Sequence, residues 1–231
     1  MTLSSYRKSS PALCCIAALV AGLLLFSLPS VAAPDVSAYD SPPNVLEGHQ
    51  LVEALRTGGY VIYFRHGITD HSIDDKDWEN LANCKTQRPL SDQGRKQMRG
   101  IGEAIKALGI RVSTVLSSPF CRCIDTAKLA FGRAEIIDDL RQGFVDDKAA
   151  TERRARALRK MLATAPSEPG TNTVLSGHSG NLQAVTGIWL REEGAAIVFK
   201  PVPVGTFTYI ATIPPTRWQE LVRREKKIFG W

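Results

Sequence analysis

The stretch Tyr60-Val61-Ile62-Tyr63-Phe64-Arg65-His66-Gly67 decides the fold. Its apolar part is short and continuous, with no polar alternation. Such a run suits a strand buried on both faces, as in a parallel sheet covered by helices. Arg65 and His66 follow at the place where the strand would leave the sheet.

The same rhythm extends on either side. Upstream, Leu51, Val52 and Leu55 share a helical face, and Gly58 and Gly59 end that helix. Downstream, Ser91 reads as an N-cap, and Met98, Ile101, Ile105 and Leu108 recur at helical spacing until Gly109. Val112 to Leu116 is the next strand. Pro119 suits the first turn of a helix with Phe120, Ile124, Ala127 and Phe131 on its apolar face and Gly132 at its end. Ala134 to Ile137 is a third strand, and a basic helix covers roughly Thr151 to Ala163. Thr173 to Leu175 is a fourth strand, followed by polar residues and His178. Ala195 to Phe199 and Thr206 to Thr212 are β-rich, and Pro214 and Pro215 precede a final amphipathic helix. Strands alternating with helices predict an α/β fold, a three-layer α/β/α sandwich with a mainly parallel sheet. Ligands of such sheets bind beyond the carboxyl ends of the strands. Arg65, His66, Ser117, Ser118, Arg122 and His178 all fall just after predicted strands.

These residue types fit one chemistry. Arginine presents a planar fork of donors that matches phosphate oxygens. Arg122 also sits at a helix start, where free N–H groups and the helix dipole favour an anion. Two arginines, two imidazoles and a helix N-terminus suit a phosphoryl group without any metal.

Arg65-His66-Gly67 after a hydrophobic strand resembles the signature of the histidine phosphatase superfamily, which includes the cofactor-dependent phosphoglycerate mutases. Pro89-Leu90-Ser91 with Gly94 and Gln97 is similar to the family's next segment. Ser117-Ser118-Pro119 with Arg122, Thr126 and Ala127 resembles the one after, and Val174 to Asn181 resembles the segment with the second histidine. A three-residue motif alone is weak, but four in order between Tyr60 and about Leu182 are specific. The resemblance implies a phosphomonoester hydrolase that forms a phosphohistidine on His66. It implies that Arg65, Arg122 and His178 bind the phosphoryl oxygens and stabilise transition-state charge, with Thr69 adding a hydroxyl contact. It implies a small phosphorylated substrate and no cofactor.

One departure bears on mechanism. Many relatives carry Leu-x-Glu after the third strand, and its acid protonates the leaving group; here the stretch reads Leu140-Arg141-Gln142. An amide cannot donate that proton. Ser179 stands where other relatives place an acid beside the second histidine. Asp138, Asp139, Asp146 and Asp147 lie close in sequence, and Asp138 and Asp139 are the candidate general acids. The rival readings are a phosphomutase, against which export argues, and a phosphate-binding or regulatory module with little turnover. The loops Ile68 to Arg88 and Gln142 to Ala150 are expected to set specificity. The first includes Asp70, Asp74, Asp75 and Asp77, which read as a solvated loop covering the site; their spacing does not match a calcium loop. His71 lies in the same loop, and His49 reads as a surface helix residue.

The chain has 231 residues, 44% of them hydrophobic, enough for one sizeable domain. Its formal net charge of +6 falls to +4 without residues 1–32, which carry Arg7 and Lys8 and no acid. That balance favours anionic ligands without singling out nucleic acid. Arg7 and Lys8, the apolar run Ala12 to Leu28 and the small residues Ser30, Val31 and Ala32 predict an export signal cleaved near Ala32. An uncleaved membrane anchor over 12–28 is the alternative. Residues 33–44 read as a linker and 45–231 as the catalytic domain. Export implies a compartment where a disulfide persists, and Cys84 and Cys121 lie near motifs that should converge, so they are the expected pair, with Cys123 free and buried. The basic faces of the Thr151–Ala163 helix and of the final helix read as solvated, with weak contact to an anionic membrane surface as the competing possibility.

Overall fold

A computed structural model describes residues 42–142 and 148–230. All of these lie in the second of two units into which the chain divides, Val36–Trp231. The targeting segment 1–32, the cleavage point after Ala32, the anchor 12–28, and Asp146 and Asp147 lie outside the described residues. Among the described residues, no helix is long and apolar enough to cross a membrane.

Helix α1 (Gly48–Thr57) leads into strand β1 (Val61–Arg65). Helix α2 (Asp92–Ala107), β2 (Val112–Ser117), α3 (Cys121–Phe131) and β3 (Glu135–Ile136) follow. Then come α4 (Lys148–Leu162), β4 (Asn172–Gly177), α5 (Ser179–Thr186), the hairpin β5 (Ala196–Val202) and β6 (Thr206–Ile213), and α6 (Arg217–Phe229). The strands form one sheet in the order β3-β2-β4-β1-β5-β6. β3, β2, β4 and β1 are mutually parallel, whereas β5 runs antiparallel to β1, and β6 antiparallel to β5. The two β-rich runs after His178 are therefore a hairpin on the edge of a parallel sheet, since only a tight turn separates them.

Side-chain alternation along β1 divides the core in two. Ile62 and Phe64 point into an apolar cluster with α1, α2, α3 and α6, where Trp218 and Met98 are fully buried. Val61 and Tyr63 point into a second cluster with Leu158 and Leu162 of α4 and Leu182 of α5. Burial on both faces is why the run carries no polar alternation. Ser91 caps α2 through its side chain, which accepts from Gly94 N. Helix α3 begins two residues later than Pro119 suggests, with Phe120 at the cap. No predicted element corresponds to α5, which starts directly on the polar residues after His178.

The end of the expected linker packs on the sheet: Asn44 Oδ1 accepts from Thr212 N at 2.8 Å, and Val45 N donates to Ile210 O at 2.7 Å. The basic face of α4 is partly neutralised. Arg153 pairs with Asp138 and Asp139, and Arg156 pairs with Glu152.

Candidate active site

Sheet register assembles the pocket. In the β1–β4 ladder Arg65 lies opposite Gly177, so the next residues, His66 and His178, leave adjacent strands side by side. Their ring centroids are 5.5 Å apart. In the β2–β4 ladder Ser117 lies opposite Ser176, which places Ser118 and the start of α3 at the same edge. His66, His178 and Arg122 are 3%, 2% and 1% exposed, so the groups expected to meet phosphate sit under the rim rather than on it. Close packing fixes this edge. Tyr63 Oη accepts from His178 N and donates to His178 O, both at 2.9 Å, and a Cβ on Gly177 would lie 2.2 Å from that hydroxyl.

The hydrogen bonds set which imidazole nitrogens face the pocket. His66 Nδ1–H donates to Gly67 O at 3.0 Å, leaving the lone pair on Nε2. Ser118 Oγ lies 2.9 Å from His178 Nε2, and a neutral imidazole whose Nε2 accepts from this hydroxyl leaves Nδ1 as its donor. His178 then carries its proton on Nδ1. Among the described residues, the buried His178 Nδ1 and Arg122 Nε have no hydrogen-bond partner. Buried donors are nearly always satisfied. Two left open at one edge mark a place for an acceptor-rich ligand.

Electrostatics keep both imidazoles neutral. Burial, then the nearby Arg122 charge, pushes His66 down to about 3. The same two causes, burial first, hold His178 well below the ordinary histidine value. Cys123 Sγ is 3.4 Å from His178 Nε2, but burial pushes this thiol up to about 12, so it remains protonated. The Arg122 guanidinium stacks over Phe120 at 4.4 Å, and Phe120 meets the His178 ring edge-on at 5.0 Å.

The other expected residues have mixed fates. Arg65 Nη1 donates to the Leu190 carbonyl at 3.0 Å and Nη2 to Glu193 at 3.3 Å, so much of its fork clamps the loop before β5. Thr69 is buried, and its hydroxyl donates to Glu193 Oε1 at 2.9 Å. A hydroxyl has one proton, so this donor is not directed at a phosphate oxygen as expected. Asp138 and Asp139 turn their carboxylates to Arg153 and Arg154 on α4, not to the arginines of the pocket. Gln142 does reach the site: its Oε1 accepts from Arg122 Nη2 at 3.2 Å. Cys84 and Cys121 form a disulfide with 5.7 Å between Cα atoms, and Cys123 is free and buried.

Three site residues carry no sequence signal of their own. Glu193 accepts from Thr69 N at 3.0 Å and lies 3.9 Å from His66 Nδ1. Burial raises its carboxyl, but the Thr69 hydrogen bonds and the neighbouring His66 ring and Arg65 charge outweigh this, and it is held below the usual range. Asp75 accepts from Arg122 Nη1 at 2.9 and 3.1 Å. The Arg88 charge is felt at both Arg65 and His178.

The family model of the histidine phosphatase superfamily (branch 1) matches residues 61–145. That match covers the segment with the first three motifs, over which the chain is similar to the histidine phosphatase superfamily. Among curated proteins, none matches the chain in sequence. Solved structures share the fold. An Escherichia coli protein assigned as an alpha-ribazole-5'-P phosphatase superposes with a TM-score of 0.51 at 16% identity, over 68% of this chain and 98% of that one. A mutant phosphoserine phosphatase from Entamoeba histolytica, in complex with phosphoserine, gives 0.50 at 13% identity, over 68% and 98%. At such identities the likeness is one of fold, and the site must be argued from its own residues.

Proposed function

We propose that the protein hydrolyses phosphomonoesters through a phosphohistidine on His66, without a metal or nucleotide cofactor, outside the cytoplasm. The observation that carries this reading is the juxtaposition of His66 Nε2 with the open donors of His178 and Arg122 at one buried edge. His66 is neutral across ordinary pH, so its Nε2 lone pair attacks phosphorus without first losing a proton. Arg122 and His178 Nδ1–H donate to the phosphoryl oxygens, and in a dry site such donors stabilise transition-state charge strongly. Water then hydrolyses the phosphohistidine. A cavity of about 170 Å³ beside Gln142, lined also by Arg141, Thr151, Asn181 and Gln183, offers room for the organic part of a monoester.

Export is supported by the predicted signal over residues 1–32 and by the Cys84–Cys121 bridge, which an oxidising compartment maintains. A phosphate-binding module with little turnover is the second reading. It is favoured by Gln142, an amide at the position where relatives supply an acid.

The test is hydrolysis of p-nitrophenyl phosphate by the full chain, with a chelator present and with His66→Ala alongside. Turnover that survives the chelator and vanishes in the variant supports the hydrolase. Tight phosphate binding with no turnover by the folded wild-type protein supports the binder.

A further inference from the structure

The proposed reaction needs a proton for the leaving group, and among the described residues the fold brings the carboxylate of Asp75 to the phosphate donors. The Asp75 side chain is 8% exposed, and both its oxygens lie within 3.1 Å of Arg122 Nη1. Its Oδ1 also accepts from Arg88 N at 2.8 Å. The loop that carries it is pinned. Asp70 N donates to Pro89 O and Lys76 N to Thr86 O, and the Cys84–Cys121 bridge ties the loop to the first residue of α3. A carboxylate held this firmly on the pocket's most buried arginine has a position, not merely a loop address.

Among the described residues, the other carboxyl groups near the site are excluded by geometry. Glu193 stands on the Nδ1 side of His66, and its oxygens are taken up by Thr69 and Arg65. The leaving group must lie across phosphorus from Nε2, in line with attack, which is the opposite direction. Asp138 and Asp139 are paired on α4. Gln142 touches Arg122 but has no acidic proton.

Resting on the hydrolase reading, we propose that Asp75 is the general acid and base of the reaction. A monoester dianion entering the Arg122 fork competes with Asp75 for the same guanidinium. Asp75 enters this step carrying the proton that the second half of the cycle returns to it. Asp75 then donates to the bridging ester oxygen. As the His66 Nε2–phosphorus bond forms, the phosphorus–oxygen bond breaks, and its electron pair takes the Asp75 proton, releasing an alcohol. In the second half, water attacks phosphorus while the Asp75 carboxylate accepts the water proton. The phosphorus–Nε2 bond breaks, its electrons return to His66, and phosphate leaves with Asp75 protonated again.

The experiment compares Asp75→Asn with the wild-type full chain on glycerol phosphate, whose alkoxide leaves badly, and on p-nitrophenyl phosphate, whose anion leaves well. The expected result is a loss of about 100- to 10,000-fold on glycerol phosphate. On p-nitrophenyl phosphate the burst of phosphoenzyme formation should fall less than about tenfold, since little protonation is needed there. Equal losses on both substrates overturn the proposal and leave Asp75 a structural partner of Arg122. A gain on both also overturns it, because Asp75 is then only a competing anion. If Asp75→Asn fails to fold, the wild-type protein decides across a series of aryl and alkyl phosphates. A rate of phosphoenzyme formation nearly independent of leaving-group basicity supports a proton donor, and a steep dependence overturns it. A wild-type protein inactive on every substrate, like His66→Ala, sinks the hydrolase reading and this assignment with it.

Discussion

His66 and His178 are delivered to the pocket by adjacent parallel strands, whereas Asp75 and Arg88 arrive from a loop of 3-10 turns and bends between Ile68 and Leu90. The strand-end half is locked by backbone ladders and by Tyr63 and Gly177 packed without space between them. The loop half depends on a few ties: an isolated bridge between Thr69 and Leu90, a disulfide, and Gln87, whose side chain accepts from Cys121 N and donates to Leu81 O. The sheet fixes what must be invariant for nucleophilic attack. The loop carries what decides how the leaving group departs, and it can change without disturbing the sheet.

The largest expected effect belongs to the strand half. His66→Ala should reduce turnover on the order of ten-thousandfold or more, because the route through a covalent intermediate is lost. Steady-state p-nitrophenyl phosphate hydrolysis checks it. Arg122 joins the halves, so Arg122→Ala should fail twice. Loss of a donor to the developing charge costs about 100- to 1,000-fold in kcat. Leaving Asp75 buried without its partner costs about 3–5 kcal/mol of stability; denaturant melts read this directly.

Replacing Cys84 and Cys121 by serine tests the loop half alone. A bridge across a sequence separation of 37 stabilises a chain by about 2–4 kcal/mol through loop-closure entropy. Its loss should lower the melting temperature and weaken turnover on alkyl phosphates more than on p-nitrophenyl phosphate. An equal effect on both substrates would show that the halves are not separable. A smaller change is expected for Glu193→Gln. The amide oxygen can still accept from Thr69, so stability should fall by only about 1 kcal/mol and kcat a few-fold.

Acid should weaken the strand half gradually. His66 titrates at about 3 when folded against 6.5 for the free residue. The unfolded chain therefore binds more protons between those values. Stability is fully present above about 6.5 and declines as pH falls toward 3. His178, also depressed, acts in the same direction. Melting temperature measured across that range checks the sign, and a rise on acidification would contradict the buried neutral pair.

The same division explains what could be read from sequence. The apolar run 60–64 announced a doubly covered strand, and the helix periodicities announced the layers, because both are local patterns with global consequences. The residues just past those strands followed from the rule that ligands bind at strand ends. Asp75, Arg88 and Glu193 reach the pocket from irregular segments, and their roles depend on where the chain returns in space. Among five acids in the first loop, nothing in the spacing singles out Asp75. Asp138 and Asp139 drew attention by proximity in sequence, yet the turn after β3 presents them to Arg153 and Arg154. The disulfide was readable because both cysteines border motifs that the fold had to bring together.

The central claim is the covalent intermediate. Rapid acid-free quenching of the full chain during turnover, followed by peptide mass spectrometry, tests it most directly. A phosphoryl group on His66, stable in base, lost in acid and missing from His66→Ala, is the result this account predicts. Continued turnover by His66→Ala, with no phosphohistidine found in the wild-type protein, would contradict it.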